Sequence, residues 1–285
     1  MGYDMRQVII ITAYKNEEQI YDIIKFFGGD FEFYIHIDKK SATHIRESRN
    51  VHVYKKYTVN WGSVNHLKTI LFLSDEALKD VENGYFHLIT GQDFPIKSKD
   101  YFCNELDTKK DYLEFSQLPS ESWVDGGMSR IEYYNFHDLF DYKKKIGRLF
   151  IRGIVKIQKI LKTKRRKTLK NFFQNLYGGS TYWSLTRSSL QHVIDSTNEK
   201  ILSSMRFTFC VEEIYFQTVL LNSMFSNNIT NDNLRYIDWV SGRGGYPAFL
   251  DETDYNIIKS SNKIFARKFH EKNSLELKAL LLNNG

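Results

Sequence analysis

The sequence predicts an α/β fold of the doubly wound kind, and three observations point there. Apolar runs of strand length alternate with stretches of helical spacing through residue 93. Polar clusters fall where those runs end. The chain has 285 residues, 42% of them hydrophobic and 15% aromatic, with only three prolines and no Gly/Ser-rich run, so one continuous core in a single domain is the economical arrangement.

Residues 7–14, with Val8-Ile9-Ile10-Ile11 at their heart, read as a buried parallel strand. Residues 16–27 place Ile20, Ile23, Ile24 and Phe27 at helical spacing, and Gly28-Gly29 stop the helix. Strands follow at 31–37 and 51–54, then a helix at 63–78 and a strand at 85–90. The second half is less regular, with a strand expected at 180–186 and helices at 211–223 and 274–282. Ligands of doubly wound sheets bind beyond the carboxyl ends of the strands. The polar stretches 12–16, 38–40 and 92–93 are therefore expected to share one crevice.

Several classes are poorly supported. No GxGxxG follows the first strand and no GxxxxGK[ST] occurs, which argues against a dinucleotide fold and a P-loop. The two cysteines, Cys103 and Cys210, lie far apart and predict buried thiols rather than a zinc site. The short apolar run near the start is too brief for a signal core or a membrane span, so a cytoplasmic protein is expected. The net charge is +6, yet thirteen Lys and Arg residues fall between Lys143 and Lys170 with no acidic residue among them. Basicity is thus a local property, and the rest of the chain is net negative.

Six segments, in order, carry a family resemblance: His36-Ile37-Asp38-Lys39-Lys40-Ser41, Trp61-Gly62-Ser63-Val64, Gln92-Asp93-Phe94-Pro95-Ile96-Lys97, Gly179-Ser180-Thr181-Tyr182-Trp183, Glu212-Glu213-Ile214-Tyr215-Phe216-Gln217-Thr218, and Phe265-Ala266-Arg267-Lys268-Phe269. With them the chain resembles the core-2/I-branching β-1,6-N-acetylglucosaminyltransferases, the related peptide O-xylosyltransferases and the bacterial members of that group. The resemblance implies a GT-A-like fold, a UDP-sugar donor, inversion at the anomeric carbon, and chemistry without a metal or other cofactor. It leaves UDP-N-acetylglucosamine, UDP-xylose and other UDP-sugars open as donors, the first being preferred. It also suggests a role in bacterial capsule, O-antigen or other surface polysaccharide synthesis, on a glycan or lipid-linked oligosaccharide acceptor.

The resemblance also assigns residues. Inverting transfer needs a carboxylate to take the acceptor proton as its oxygen attacks, and the family's base falls on Glu213. By spacing alone, adjacent Glu212 and Glu213 at a helix start also suit ordinary capping. The leaving diphosphate needs positive charge. The chain has no Asp-x-Asp to hold a cation. Lys268 matches a diphosphate-binding lysine, with Arg267 beside it. A second family cation has no gap-free match, and Arg243 in Ser241-Gly242-Arg243-Gly244-Gly245 is the nearby candidate. Asp38 matches a family position for the nucleotide and Glu114 one for acceptor hydroxyls; by the strand reading Ala13 and Tyr14 lie beside Asp38, and Trp183 and Trp239 offer flat faces of the kind sugars pack on, a core role being the default for each tryptophan. Asp93 reads as part of a rigid turn that shapes the pocket.

The basic stretch interleaves Leu149, Ile151, Ile154, Val155, Ile157, Ile160 and Leu161 with Arg148, Arg152, Lys156 and Lys159, the pattern of an amphipathic helix on an anionic membrane. An exposed helix packed on the protein by its apolar face is the other reading. Of the different-class alternatives, nucleic-acid binding leaves the acidic strand ends unexplained, so no nucleic-acid partner is expected. A non-catalytic sugar-binding module has no need of Glu213 and Lys268 together.

Overall fold

The computed structural model describes residues 5–283. The first half runs Arg6–Ala13 (β1), Glu17–Phe27 (α1), Phe31–Ile37 (β2), Val51–Tyr54 (β3), Val64–Leu78 (α2) and Asn83–Thr90 (β4). The chain continues through Asp93–Pro95 (β5), Asp111–Leu113 (β6), Ser116–Leu118 (β7), Ser129–Glu132 (α3), Lys145–Ile160 (α4), Leu176–Gly178 (β8) and Trp183–Thr186 (β9). It closes with Arg187–Asp195 (α5), Glu199–Met205 (α6), Tyr215–Leu221 (α7), Ile229–Thr230 (β10), Arg235–Ile237 (β11), Tyr255–Ser260 (α8), Phe265–Arg267 (β12) and Leu275–Asn283 (α9).

A seven-stranded sheet in the order β10-β6-β9-β4-β1-β2-β3 forms the centre. β1 lies parallel to β2 and β4, and β2 to β3, whereas β9 runs antiparallel to β4 and β6. Side chains alternate across a strand. Val8 and Ile10 therefore join the core beneath α2, α5 and α7, while Ile9 and Ile11 face Ile20, Ile23 and Phe27 of α1 on the other side. Burial on both faces explains why β1 reads as an unbroken apolar run. Fully burying each such side chain is worth about 1.5–3 kcal/mol, which opposes any slip in register.

A small sheet, β11-β12-β5, packs into the same core as α1. Buried Arg235 locks it to the centre, donating through Nη2 to the carbonyls of Leu88 and Trp183 and through Nη1 to Ser184 Oγ. This mixed, mostly parallel arrangement is the GT-A-like fold that the sequence led one to expect.

The chain moves outward from β1 to β2 and β3, then returns to place β4 on the far side of β1. The direction reverses at the β1/β4 boundary, where such sheets open a ligand crevice. Asp38 N donates to Ala13 O (2.8 Å) and Gly91 N to Thr12 O (3.3 Å), so the three strand ends meet there.

Several expectations need correcting. The helix expected at 211–223 is a 3-10 turn, Val211–Glu213, separated by Ile214 from α7. The strand expected at 180–186 begins only at Trp183, because residues 179–182 are held by α7 instead, Gln217 Nε2 donating to Ser180 O. Cys210 is buried, but Cys103 is exposed on a turn of π-helix. Within the basic stretch only α4 is a long helix; Arg165 beyond it is buried, and Lys164 and Lys170 pair with Glu132.

Candidate active site

The Val211–Glu213 turn sends two adjacent carboxylates to different surroundings. Glu212 points inward, where Oε1 accepts from His66 Nδ1 (3.0 Å), and His66 Nε2 meets Thr12 Oγ1 (3.2 Å) at the end of β1. Glu213 faces the crevice with 30% of its side chain exposed and pairs with Arg130 at 2.5 Å. Arg130 in turn lies 4.2 Å from the Trp123 ring centroid, and its carbonyl accepts from Phe209 N. Burial pushes the Glu213 carboxyl above its ordinary range; Arg130 pulls it back, and Glu212 adds to the upward push. A partly buried carboxylate with a raised pKa at a crevice mouth suits a general base.

Gly179 ties Glu213 to Glu114. Gly179 N donates to Glu213 O (2.9 Å), while a Cβ on Gly179 would stand 1.8 Å from Glu114 O. Only glycine permits that approach. Glu114 itself is exposed, and Oε2 accepts from Asn233 Nδ2 (2.5 Å).

The strand ends bring further candidates. Asp38 is buried, and its Oδ1 accepts from Lys40 N (2.9 Å), so it forms its turn while lining the crevice. Its neighbour His36 accepts from Lys56 N and Tyr57 N, and burial lowers its pKa to about 4, fixing it neutral. Ala13 is half-buried and Tyr14 exposed. Asp93 Oδ2 accepts from Thr90 N and Thr90 Oγ1, both at 2.6 Å, which makes the expected rigid turn. Lys268 is half-buried, and burial followed by the charges of Arg267, Lys15 and Lys143 lowers its pKa.

Three of the residues singled out from the sequence sit otherwise than expected. Trp183 is fully buried on β9 with its ring 5.1 Å from that of Phe216, so it offers no face to a sugar. Arg267 is buried 3.8 Å from Asp93 and lies over Tyr182, in the core rather than in the crevice. Arg243 donates to Asp251 Oδ1 (2.8 Å) and Asp254 Oδ1 (2.6 Å) and lies 3.5 Å from Asp238, and its pKa is raised, chiefly by Asp254. Its charge is already compensated by carboxylates. Trp239, by contrast, is half-exposed and leans on Tyr246, and Trp61 is similarly exposed beside Phe209.

Sequence reading passed over Arg130, His66 and Lys15, and took Lys143 only as the start of the basic stretch. The first two carried no usable signal, since Arg130 lies 83 residues from Glu213 and His66 lies 146 residues from Glu212. Among the described residues, no group of three or more His, Cys, Asp or Glu is placed to hold a metal ion.

The fold is of the GT-A-like α/β class, and a carboxylate, an arginine and lysines gather around the ends of β1, β2 and β4. A model of the Core-2/I-branching enzyme family matches residues 9–261, and the chain belongs to that family. It is 25% identical over 227 residues to xylosyltransferase 1 of Mus musculus, covering 75% of this chain and 22% of the relative. It is 30% identical over 127 residues to the beta-glucuronosyltransferase GlcAT14A of Arabidopsis thaliana, covering 42% and 28%. A xylosyltransferase of Ciona intestinalis is 22% identical over 273 residues, covering 86% and 30%. The chain thus spans less than a third of the length of these relatives. Family and relatives together support a glycosyltransferase.

Proposed function

We propose that the protein transfers a sugar from a UDP-sugar, with inversion, to a hydroxyl of a glycan or lipid-linked oligosaccharide acceptor, in surface polysaccharide synthesis. One observation carries the reading: Glu213 stands at the crevice with Arg130 on its carboxylate, and Gly179 joins it to Glu114. In this scheme Glu213 accepts the proton of the acceptor hydroxyl as that oxygen attacks the anomeric carbon and the bond to the diphosphate breaks. Lys268 offsets the charge developing on the departing UDP, so the scheme needs no bound cation. Asp38, Ala13 and Tyr14 line the nucleotide end, while Glu114 and Trp239 present a carboxylate and a flat face to the acceptor.

N-acetylglucosamine is the donor sugar we favour, with xylose second. Transfer assays in excess EDTA with both UDP-sugars test the scheme. The wild type is expected to turn over, and Glu213→Gln to lose at least about a hundredfold in kcat while keeping UDP affinity. Undiminished transfer by the variant removes Glu213 from the mechanism, and an absolute cation requirement removes the metal-free scheme.

α4 favours contact with an anionic membrane. At 3.6 residues per turn its side chains fall into three sectors. Gly147, Ile151 and Gln158 are buried against the protein; Lys145, Arg148, Arg152, Lys156 and Lys159 form an exposed basic sector; Ile146, Leu149, Phe150, Ile157 and Ile160 form an exposed apolar one. An apolar face edged by cations is what an interfacial helix presents to anionic lipid. Among the described residues no helix is long and apolar enough to cross a membrane. Co-sedimentation with phosphatidylserine vesicles at low salt is expected for the wild type and not for Leu149→Asp/Ile157→Asp. A wild type that stays in the supernatant refutes membrane contact.

A further inference from the structure

The crevice holds more positive charge than Lys268 alone supplies. Lys15 is the second residue after β1, and Lys143 lies two residues before α4. Their ammonium groups lie 5.7 Å and 4.3 Å from the ring centroid of the same side chain, Tyr14. Lys268 is brought to this place by its backbone. Phe269 N donates to Gln92 O (2.8 Å), and the adjacent Gly91 packs against Ala13 and the carbonyl of Lys15.

Among the described residues, none of these three lysines has a carboxylate within ion-pair distance, whereas Arg243 is spanned by Asp238, Asp251 and Asp254. The head of α4 also walls an open cleft of about 560 Å³ whose lining includes Lys40, Asn60, Lys144 and Lys145. Like charges drawn together without a counter-charge oppose one another, and the lowered pKa of Lys268 records that opposition alongside its burial. An anion with several oxygens relieves it, and a diphosphate does so at three points.

We propose that Lys143 joins Lys15 and Lys268 on the donor diphosphate, completing a three-lysine cradle in which Arg243 takes no part. The assignment rests on the UDP-sugar reading. It also makes the loop leading into α4 part of the donor site, so the surface helix and the crevice share one segment of chain.

Calorimetric titration with UDP and with uridine tests it, using the wild type, Lys143→Gln, Lys143→Arg, Lys268→Gln and Arg243→Gln. Lys143 is exposed, so its replacement leaves the core intact. Lys143→Gln is expected to lose about tenfold in UDP affinity with uridine affinity unchanged, as removing one charge-assisted contact requires. Lys143→Arg is expected to recover most of the loss, and Arg243→Gln to bind UDP as the wild type does. UDP affinity unchanged in Lys143→Gln but reduced in Lys268→Gln overturns the role of Lys143 and leaves the donor reading standing. A tenfold loss in Arg243→Gln with none in Lys143→Gln returns the role to Arg243. A wild type that binds no UDP overturns the donor reading and, with it, the cradle.

Discussion

Residues 6–95 and residues 111–228 face the same crevice but are held in different ways. In the first region the crevice residues are simply the ends of β1, β2 and β4, and the backbone ladders of the parallel strands fix their positions. In the second, short elements are separated by irregular chain, and individual side chains satisfy the backbone. Arg165 donates to the carbonyls of Ile131, Ser204 and Arg206 and to Thr208 Oγ1. Asp138 accepts from Val64 N and Phe207 N, and Gln158 both donates to and accepts from the backbone of Tyr134. A register is shared among many residues, whereas a clamp depends on one. The strand-end side of the crevice is therefore robust to single substitutions, and the side that holds Arg130 and Glu213 is exposed to them.

Gly179→Ala is the sharpest test of this contrast. The new methyl would overlap Glu114 O and must displace either Glu114 or Glu213. A misplacement of about 1 Å at the reacting groups is expected to cost around a hundredfold in kcat, with UDP affinity kept. Equal losses in both would show that the two sides are not separately built. Arg165→Ala comes next. Losing three buried hydrogen bonds and one part-buried one is expected to destabilise by about 3 kcal/mol in urea unfolding, with hydrogen exchange rising around residues 128–142 before it rises in β1 and β4. A cost below about 1 kcal/mol would mean the loop is held by something other than this clamp.

The smallest expected effect concerns pH. Arg130 favours the ionised form of Glu213 and so opposes the upward push of burial. A base must be deprotonated to act, so kcat/KM should fall as pH drops through the Glu213 pKa. Arg130→Gln raises that pKa further and is expected to move the acid limb to higher pH, leaving the alkaline rate less affected. An unmoved limb would show that the pair does not govern the ionisation of Glu213.

Much of the first region was legible in the amino-acid order. β2 lies where its apolar residues placed it, because a strand buried on both faces is rich in β-branched and aromatic side chains, and β3, at the sheet edge with only Val51 buried, lies where its alternation placed it. Legibility failed where spacing and environment disagree. Residues 211–223 have helical composition, yet Ile214 departs from helical geometry and lets Glu212 and Glu213 diverge. Trp183 reads as a sugar platform only while its strand is unplaced; between β4 and β6 it must be core.

What the sequence determined by itself, then, is the doubly wound sheet, the crevice at its strand ends, the basic amphipathic helix and the kinship that marks Glu213. Each depends on local periodicity or on short contiguous motifs. The tertiary structure alone decided which charges remain available. Arg243 and Arg267 lie within ion-pair distance of carboxylates reached through the fold, Asp93 lying 174 residues before Arg267, while among the described residues Lys15, Lys143 and Lys268 arrive from three distant segments with none. Ion pairing acts over a few ångströms in space and is blind to separation along the chain, so only the folded chain could sort the committed cations from the free ones.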